Sequence, residues 1–203
     1  MDVRGRSGGV EIDWDRKSIN VTNSWGFASG ICVEAFSLEL NLLLHFVNIY
    51  GPYSDRVSFW DNLLHRLLFP LESCITGGDL NLTLSGAEVW GLNAANDSLS
   101  DFFIRLFEEV GLVGIDHIQL KASWRNKRVG EARISKRLDR FLVSDSLLEG
   151  SLLMCQWIES GGESSHFPIF FEVKGQASKL GIPFKFNSFW IINQDFINLV
   201  ASK

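Results

Sequence analysis

Short apolar or β-branched runs, most of them bounded by turn residues, recur along this chain at 8–13, 18–22, 29–34, 42–49, 73–78, 136–143, 151–158 and 168–173. Each is short for a helix and long enough for a strand, so the punctuation predicts a β-rich sheet system. Two stretches carry a helical period instead. In 55–69 the residues Val57, Trp60, Leu63, Leu64, Leu67 and Leu68 share one face, and Pro70 ends the run. In the second, Leu99, Phe102, Phe103, Leu106, Phe107 and Val110 form the stripe, with Asp97 available as N-cap and Gly111 as C-terminal cap. Strands flanking inserted helices predict an α/β sandwich, sheets packed together and covered by helices. A third amphipathic piece is expected around 194–201, after the aromatic cluster Phe184, Phe186, Phe189 and Trp190.

At 203 residues, 46% of them hydrophobic, the chain has material for one large core. No repeat or low-complexity tract divides it, although 174–183 is polar enough to be a boundary loop, so the body ends near 175 and 176–203 reads as a separate segment. Cys32, Cys74 and Cys155 have no zinc-like spacing and read as reduced thiols. The start lacks the order of a secretory signal and no run approaches a membrane span, so an intracellular protein, nuclear or cytoplasmic and not secreted, is expected. The net charge of −5 repels a polyanion on average. Between Lys121 and Arg140, however, eight basic residues face two acids, leaving that segment at about +6 and the remainder at about −11.

Four strings carry the chemistry. Gly77-Gly78-Asp79-Leu80-Asn81 follows the apolar run Cys74-Ile75-Thr76 and places a carboxylate and a carboxamide two apart at a strand exit; alone, a Gly-Gly-Asp turn explains it equally well. Arg137-Leu138-Asp139-Arg140-Phe141-Leu142-Val143-Ser144 sets Asp139 inside an apolar strand, where it needs a partner, Arg137 and Arg140 being the default. In Ser164-Ser165-His166-Phe167-Pro168-Ile169 a histidine precedes a Pro-started strand, a place where packing is the ordinary role. Asn48-Ile49-Tyr50-Gly51-Pro52 runs a strand into a Gly-Pro turn with Tyr50 at its polar end.

In this order the four strings resemble the endonuclease/exonuclease/phosphatase superfamily, whose motifs run N-x-Y-x-P, G-D-x-N, R-L-D-x-x-L-x-S and S-D-H-x-P. Its retroelement members also resemble this chain at Gly5-Arg6-Ser7-Gly8-Gly9-Val10, at Arg56 through Trp60, at Ser123-Trp124-Arg125-Asn126 and at Pro183-Phe184-Lys185-Phe186-Asn187. The likeness covers about residues 5–200 and narrows to the plant-type LINE (non-LTR) branch. It implies a four-layer sandwich of two packed β-sheets flanked by helices over 1–175, and a connector towards a reverse transcriptase over 176–203. It implies that Asp79 orients or deprotonates the attacking water, that Asn81 holds the water or the scissile phosphate, and that Tyr50 donates to a phosphate oxygen. His166 would stabilise charge on the phosphate while Asp139 sets its tautomer and favours its protonated form. Mg²⁺ would be the cofactor and DNA the partner, with Lys121, Arg125, Lys127, Arg128 and Arg137 contacting the backbone.

The resemblance fails at the metal. The family Asp before the histidine is Ser165 here, a poorer magnesium ligand. The family's strand ending in Asn and its Q-E-T-K-like strand, whose Glu binds metal, both precede the glycine string with which this sequence opens. Glu11, Asp13 and Asp15 follow that string and are not equivalents of the Glu. The expectation is therefore an N-terminally incomplete domain of marginal stability with weakened magnesium binding. Its activity would be an impaired, Mg²⁺-dependent DNA-nicking phosphodiester hydrolysis; the alternatives are a catalytically dead remnant with weak nucleic-acid binding, or a phosphatase of the same superfamily.

Overall fold

The computed structural model describes residues 9–68, 71–115, 117–150, 152–161 and 163–175, together with Gln194, Ile197 and Asn198. The 194–201 piece, the 176–203 connector and the Pro183–Asn187 string therefore fall almost wholly outside the described residues, as does most of the Gly5–Val10 string.

A six-stranded mixed sheet dominates. It is built from β1 (Ile19–Phe27), β2 (Gly30–Ser37), β3 (Leu42–Ile49), β4 (Cys74–Asp79), β6 (Leu112–Gly114) and β9 (Asp139–Ser144), in the order β1-β2-β3-β4-β9-β6. The first three strands form an antiparallel meander; β3 and β4 run parallel because a helical crossover joins them. That crossover is α1 (Arg56–Leu63) continued by a π-helical turn at Leu64–Leu68, so the expected single helix widens by one residue per turn while keeping Trp60, Leu63 and Leu64 buried. The second helix, α2 (Ser100–Glu109), follows its predicted stripe, with Phe103, Leu106 and Phe107 buried. Gly111 leaves α2 at φ 65, the left-handed conformation expected of its C-terminal glycine. Asp97 receives the Leu99 N–H but sits a turn ahead of the helix and ion-pairs Arg56.

Strand alternation divides the apolar residues between the two faces of the sheet. Cys32, Val47, Ile49, Cys74 and Leu142 meet α1 and α2, where Trp60 packs edge-on against Phe103 and Phe107. Leu44, Ile75 and Val143 face the other way, towards a second sheet formed by β10 (Leu152–Ile158) and β11 (Ile169–Gly175). Phe141 stacks on Phe171 across this layer, and Leu147 of the short helix α3 (Asp145–Glu149) closes its end. The α/β arrangement of packed sheets with flanking helices is thus observed, the second sheet being a hairpin among the described residues.

A small third sheet, β5 (Val89–Trp90), β7 (Trp124–Arg125) and β8 (Ser135–Lys136), stands at the sheet end where β4 stops and β9 starts. The predicted run 136–143 is therefore two strands, broken at Arg137-Leu138. Residues 9–13, expected to be extended in a sheet, form no strand and lie along a cavity of about 610 Å³ over the open face of β1–β4; the Asn48 side chain donates to the Glu11 carbonyl there.

Candidate active site

Two strand ends place the first pair of carboxylates. β4 and β9 are antiparallel and their register sets Asp79 directly opposite Asp139, so two acids share one edge of the sheet. Gly78 reaches this position at φ 131, and a Cβ on it would lie 2.2 Å from the Ile49 carbonyl oxygen, so a side chain is excluded. The turn after β3 approaches equally closely, since a Cβ on Gly51 would lie 2.1 Å from the Leu80 carbonyl oxygen. Two bonds stitch that turn to the end of β4: the Gly51 N–H donates to the Asp79 carbonyl (2.7 Å), and Asn81 Nδ2 donates to the Gly51 carbonyl (2.6 Å). Tyr50, 47% exposed, is carried on this turn.

His166 comes from the segment between β10 and β11. Its Nδ1 lies 3.0 Å from Asp139 Oδ2 and 3.2 Å from Oδ1, while Nε2 lies 3.7 Å from Asp79 Oδ2. The imidazole therefore bridges the two carboxylates. Asp139 pairs with neither neighbouring arginine. Arg137 and Arg140 both turn to Glu88, with Arg137 Nη1 to Oε1 at 2.9 Å and Arg140 Nη2 to Oε2 at 2.8 Å. Arg140 also donates to the carbonyls of Leu82 and Arg137.

The charges follow from this packing. Burial, and then repulsion from Asp139, push the Asp79 carboxyl up to about 6, partly offset by His166 and the Asn81 N–H. The hydrogen bond to Asp139 raises His166 above its ordinary value against the opposing effect of burial. Tyr53, which the sequence reading passed over, sits among Tyr50, Asp79 and Asn81; burial and the Tyr50 contact push its phenol up to about 12. Asn81 adopts φ 51, tolerated by asparagine; one Nδ2 hydrogen goes to the Gly51 carbonyl, and the buried Oδ1 has no hydrogen-bond partner among the described residues. Oδ1 can accept from a water or hold a cation, and the second Nδ2 hydrogen remains a donor.

The expected basic strip is partly assembled. Lys121, Lys127 and Arg128 are exposed on or beside the β7–β8 hairpin, and Arg125 lies over the Phe167 ring at 5.0 Å, one residue from His166. The Lys127 ammonium donates to the Glu163 carbonyl, which folds the hairpin towards the histidine segment. Arg137 does not join the strip, because its guanidinium is committed to Glu88 with only 11% of the side chain exposed. Ser165 is half-buried and its carbonyl accepts the Arg125 N–H at 2.9 Å. Glu88 and Tyr53 are the residues missed; two arginines inside an apolar strand and a second tyrosine after Gly51-Pro52 were their only signals.

No protein-family profile and no curated protein matches the chain in sequence. Solved structures do. The endonuclease domain of TRAS1, a telomere-specific non-LTR retrotransposon, aligns with TM-score 0.62 at 14% identity, over 81% of this chain and 72% of that one. The AP endonuclease LMAP from Leishmania major aligns at 0.54 and 14% over 73% of this chain, which spans 55% of that enzyme. An endonuclease/exonuclease/phosphatase family protein from Bacteroides thetaiotaomicron aligns at 0.54 and 12%, over 81% and 68%. The fold is that of the endonuclease/exonuclease/phosphatase superfamily. Among the described residues, Asp79, Asp139 and His166 each bring one ligand atom to within 4.8 Å of the others. The oxygens at this site fit a hard cation, His166 Nδ1 being bonded to Asp139: two carboxylates crowd together, Asp79 is raised by burial and then by Asp139, and the buried Asn81 Oδ1 has no hydrogen-bond partner among the described residues.

Proposed function

We propose that this chain is a magnesium-dependent phosphodiester hydrolase, a DNA-nicking endonuclease of the LINE retroelement type. The observation that carries the reading is the convergence of Asp79 and Asp139 on one imidazole from two strand ends and a loop. Ionised Asp79 takes the proton of the attacking water, whose position is held by its hydrogen bond to Asn81 Oδ1. His166, kept protonated by Asp139, donates to the phosphoryl oxygen on which negative charge builds. The phenols of Tyr50 and Tyr53 stand at the same rim, from which they donate to the other non-bridging oxygen. A divalent cation held by Asp79 and Asn81 would supply the remaining charge neutralisation; oxygen donors favour magnesium. Attack by water at phosphorus breaks the bond to the 3′-oxygen, which takes a proton from solvent, and leaves a 3′-hydroxyl and a 5′-phosphate. The basic hairpin beside His166 supports a nucleic-acid backbone as the substrate, and the R-x-x-F-W string with the retrotransposon-domain likeness supports the LINE branch.

The test is conversion of supercoiled plasmid to open circles, with Asp79→Ala and His166→Ala as controls. Magnesium-dependent nicking lost in both variants is expected. Ser165, in place of the carboxylate its family carries, favours a second reading, a dead remnant; that reading predicts no nicking and no effect of Asp79→Ala.

A further inference from the structure

Ser123 is fully buried beneath the Asp139–His166 pair and is bonded to the backbone on both sides of it. Its Oγ accepts the N–H of Leu138 at 2.9 Å and that of Asp139 at 2.8 Å. Its own N–H donates to the Lys136 carbonyl (3.0 Å) and its carbonyl accepts the Phe167 N–H (2.7 Å). The next two residues continue the same seam: Trp124 bridges His166, and the Arg125 N–H donates to the Ser165 carbonyl.

The break at Arg137-Leu138 explains why such a residue is needed. Between β8 and β9 the chain leaves one sheet for another, so the amides of Leu138 and Asp139 face Ser123 where a neighbouring strand's carbonyl would otherwise stand. A hydroxyl can accept both donors; an alanine leaves the buried Asp139 N–H and the part-buried Leu138 N–H without this acceptor, so the backbone under Asp139 must shift. The Phe167 bond fixes the opposite member, because it holds the residue next to His166.

We infer that Ser123 is the positioning residue of the site, a splint whose hydroxyl sets the Asp139 backbone and whose carbonyl sets the His166 segment, so that carboxylate and imidazole meet. The inference rests on the endonuclease reading for its catalytic consequence, but its structural content can be tested without activity.

Two measurements are made on the full chain with Ser123→Ala, Ser123→Thr and Ser123→Cys. The first is the downfield ¹H,¹⁵N resonance of the His166 imidazole N–H bonded to Asp139, recorded without metal. The second is plasmid nicking with magnesium. Ser123→Ala should lose or broaden that resonance and lower kcat roughly 10- to 100-fold with KM within about twofold, as expected of a supporting contact to a reacting group. Ser123→Thr, which keeps the hydroxyl, should restore both. Should Ser123→Ala fail to fold, Ser123→Cys takes its place, its thiol being a weak acceptor of similar size. An unchanged resonance and unchanged kcat in the folded Ala or Cys variant overturns the inference, as does an equal fall in Thr. If the parent chain does not nick but the resonance still vanishes in Ala and returns in Thr, the splint stands and the endonuclease reading fails.

Discussion

His166 stands between two carboxylates, and its place there fixes the sign of the pH dependence. The rate requires Asp79 ionised and His166 protonated, so it should rise through about pH 6 and fall as His166 loses its proton above 6.5. Asp139→Asn replaces the charge-assisted bond that raises His166 with a neutral one and removes the charge that adds to burial in raising Asp79. Both limbs of the pH–rate profile should then move to lower pH, and kcat should drop about 10²- to 10⁴-fold; limbs that stay in place contradict these roles. Asp79 is also a stability liability. Its raised pKa contributes stability below the ordinary carboxylate value of 3.8, and that contribution is lost as pH rises through about 6. Asp79→Asn should therefore unfold at higher urea than the parent at pH 7 in metal-free buffer, by on the order of 1–3 kcal/mol. Asp79, Asn81, Asp139 and His166 could be singled out in the sequence because their strings resemble a family's motifs in fixed order, and the structure brings Asp79, Asp139 and His166 together. Tyr53 and Glu88 were not, since neither has a neighbour in sequence that demands it. The partner of Asp139 was left open for a physical reason: Arg137, Arg140 and His166 could each satisfy a carboxylate, and the burial of Glu88 decides between them.

At the level of elements, Glu88 joins the segment after β4 to the strand that carries Asp139. Burial alone would raise its carboxyl, but attraction and bonds from Arg140, with the Leu84 N–H and Arg137, outweigh it and leave it below its ordinary value. That stabilisation is present above about 4.5 and is lost as pH falls through the lowered value. Glu88→Gln leaves the fully buried Arg140 guanidinium without its carboxylate and should cost about 3–5 kcal/mol, read as a lower urea midpoint. A midpoint within about 0.5 kcal/mol of the parent would mean that water reaches the pair. Strands were readable where apolar runs were continuous: β3 spans the predicted 42–49. They were misread where pairing decides, as at 9–13, which is apolar but has no strand beside it, and at 136–143, where the chain changes sheets. The π turn after α1 still buries Leu64, the next apolar residue of the stripe, so periodicity could not expose it.

For the molecule as a whole, the sandwich gathers Asp79, Asp139 and His166 at one end and the exposed Lys127 and Arg128 beside them. A chain of net charge −5 can hold a polyanion only through such a local surface. Replacing Lys121, Lys127 and Arg128 together by serine should weaken binding of duplex DNA and reduce the slope of log affinity against log salt by about 2–3, roughly one per lost phosphate contact. An unchanged slope would place the DNA elsewhere. The most direct measurement of the proposed activity is nicking of supercoiled plasmid across a magnesium titration, with the nick's ends assayed by polymerase extension. Open circles that accumulate with magnesium, extend directly from a 3′-hydroxyl and vanish with Asp79→Ala are predicted. No nicking at saturating magnesium and high enzyme, or nicking indifferent to Asp79, would contradict it.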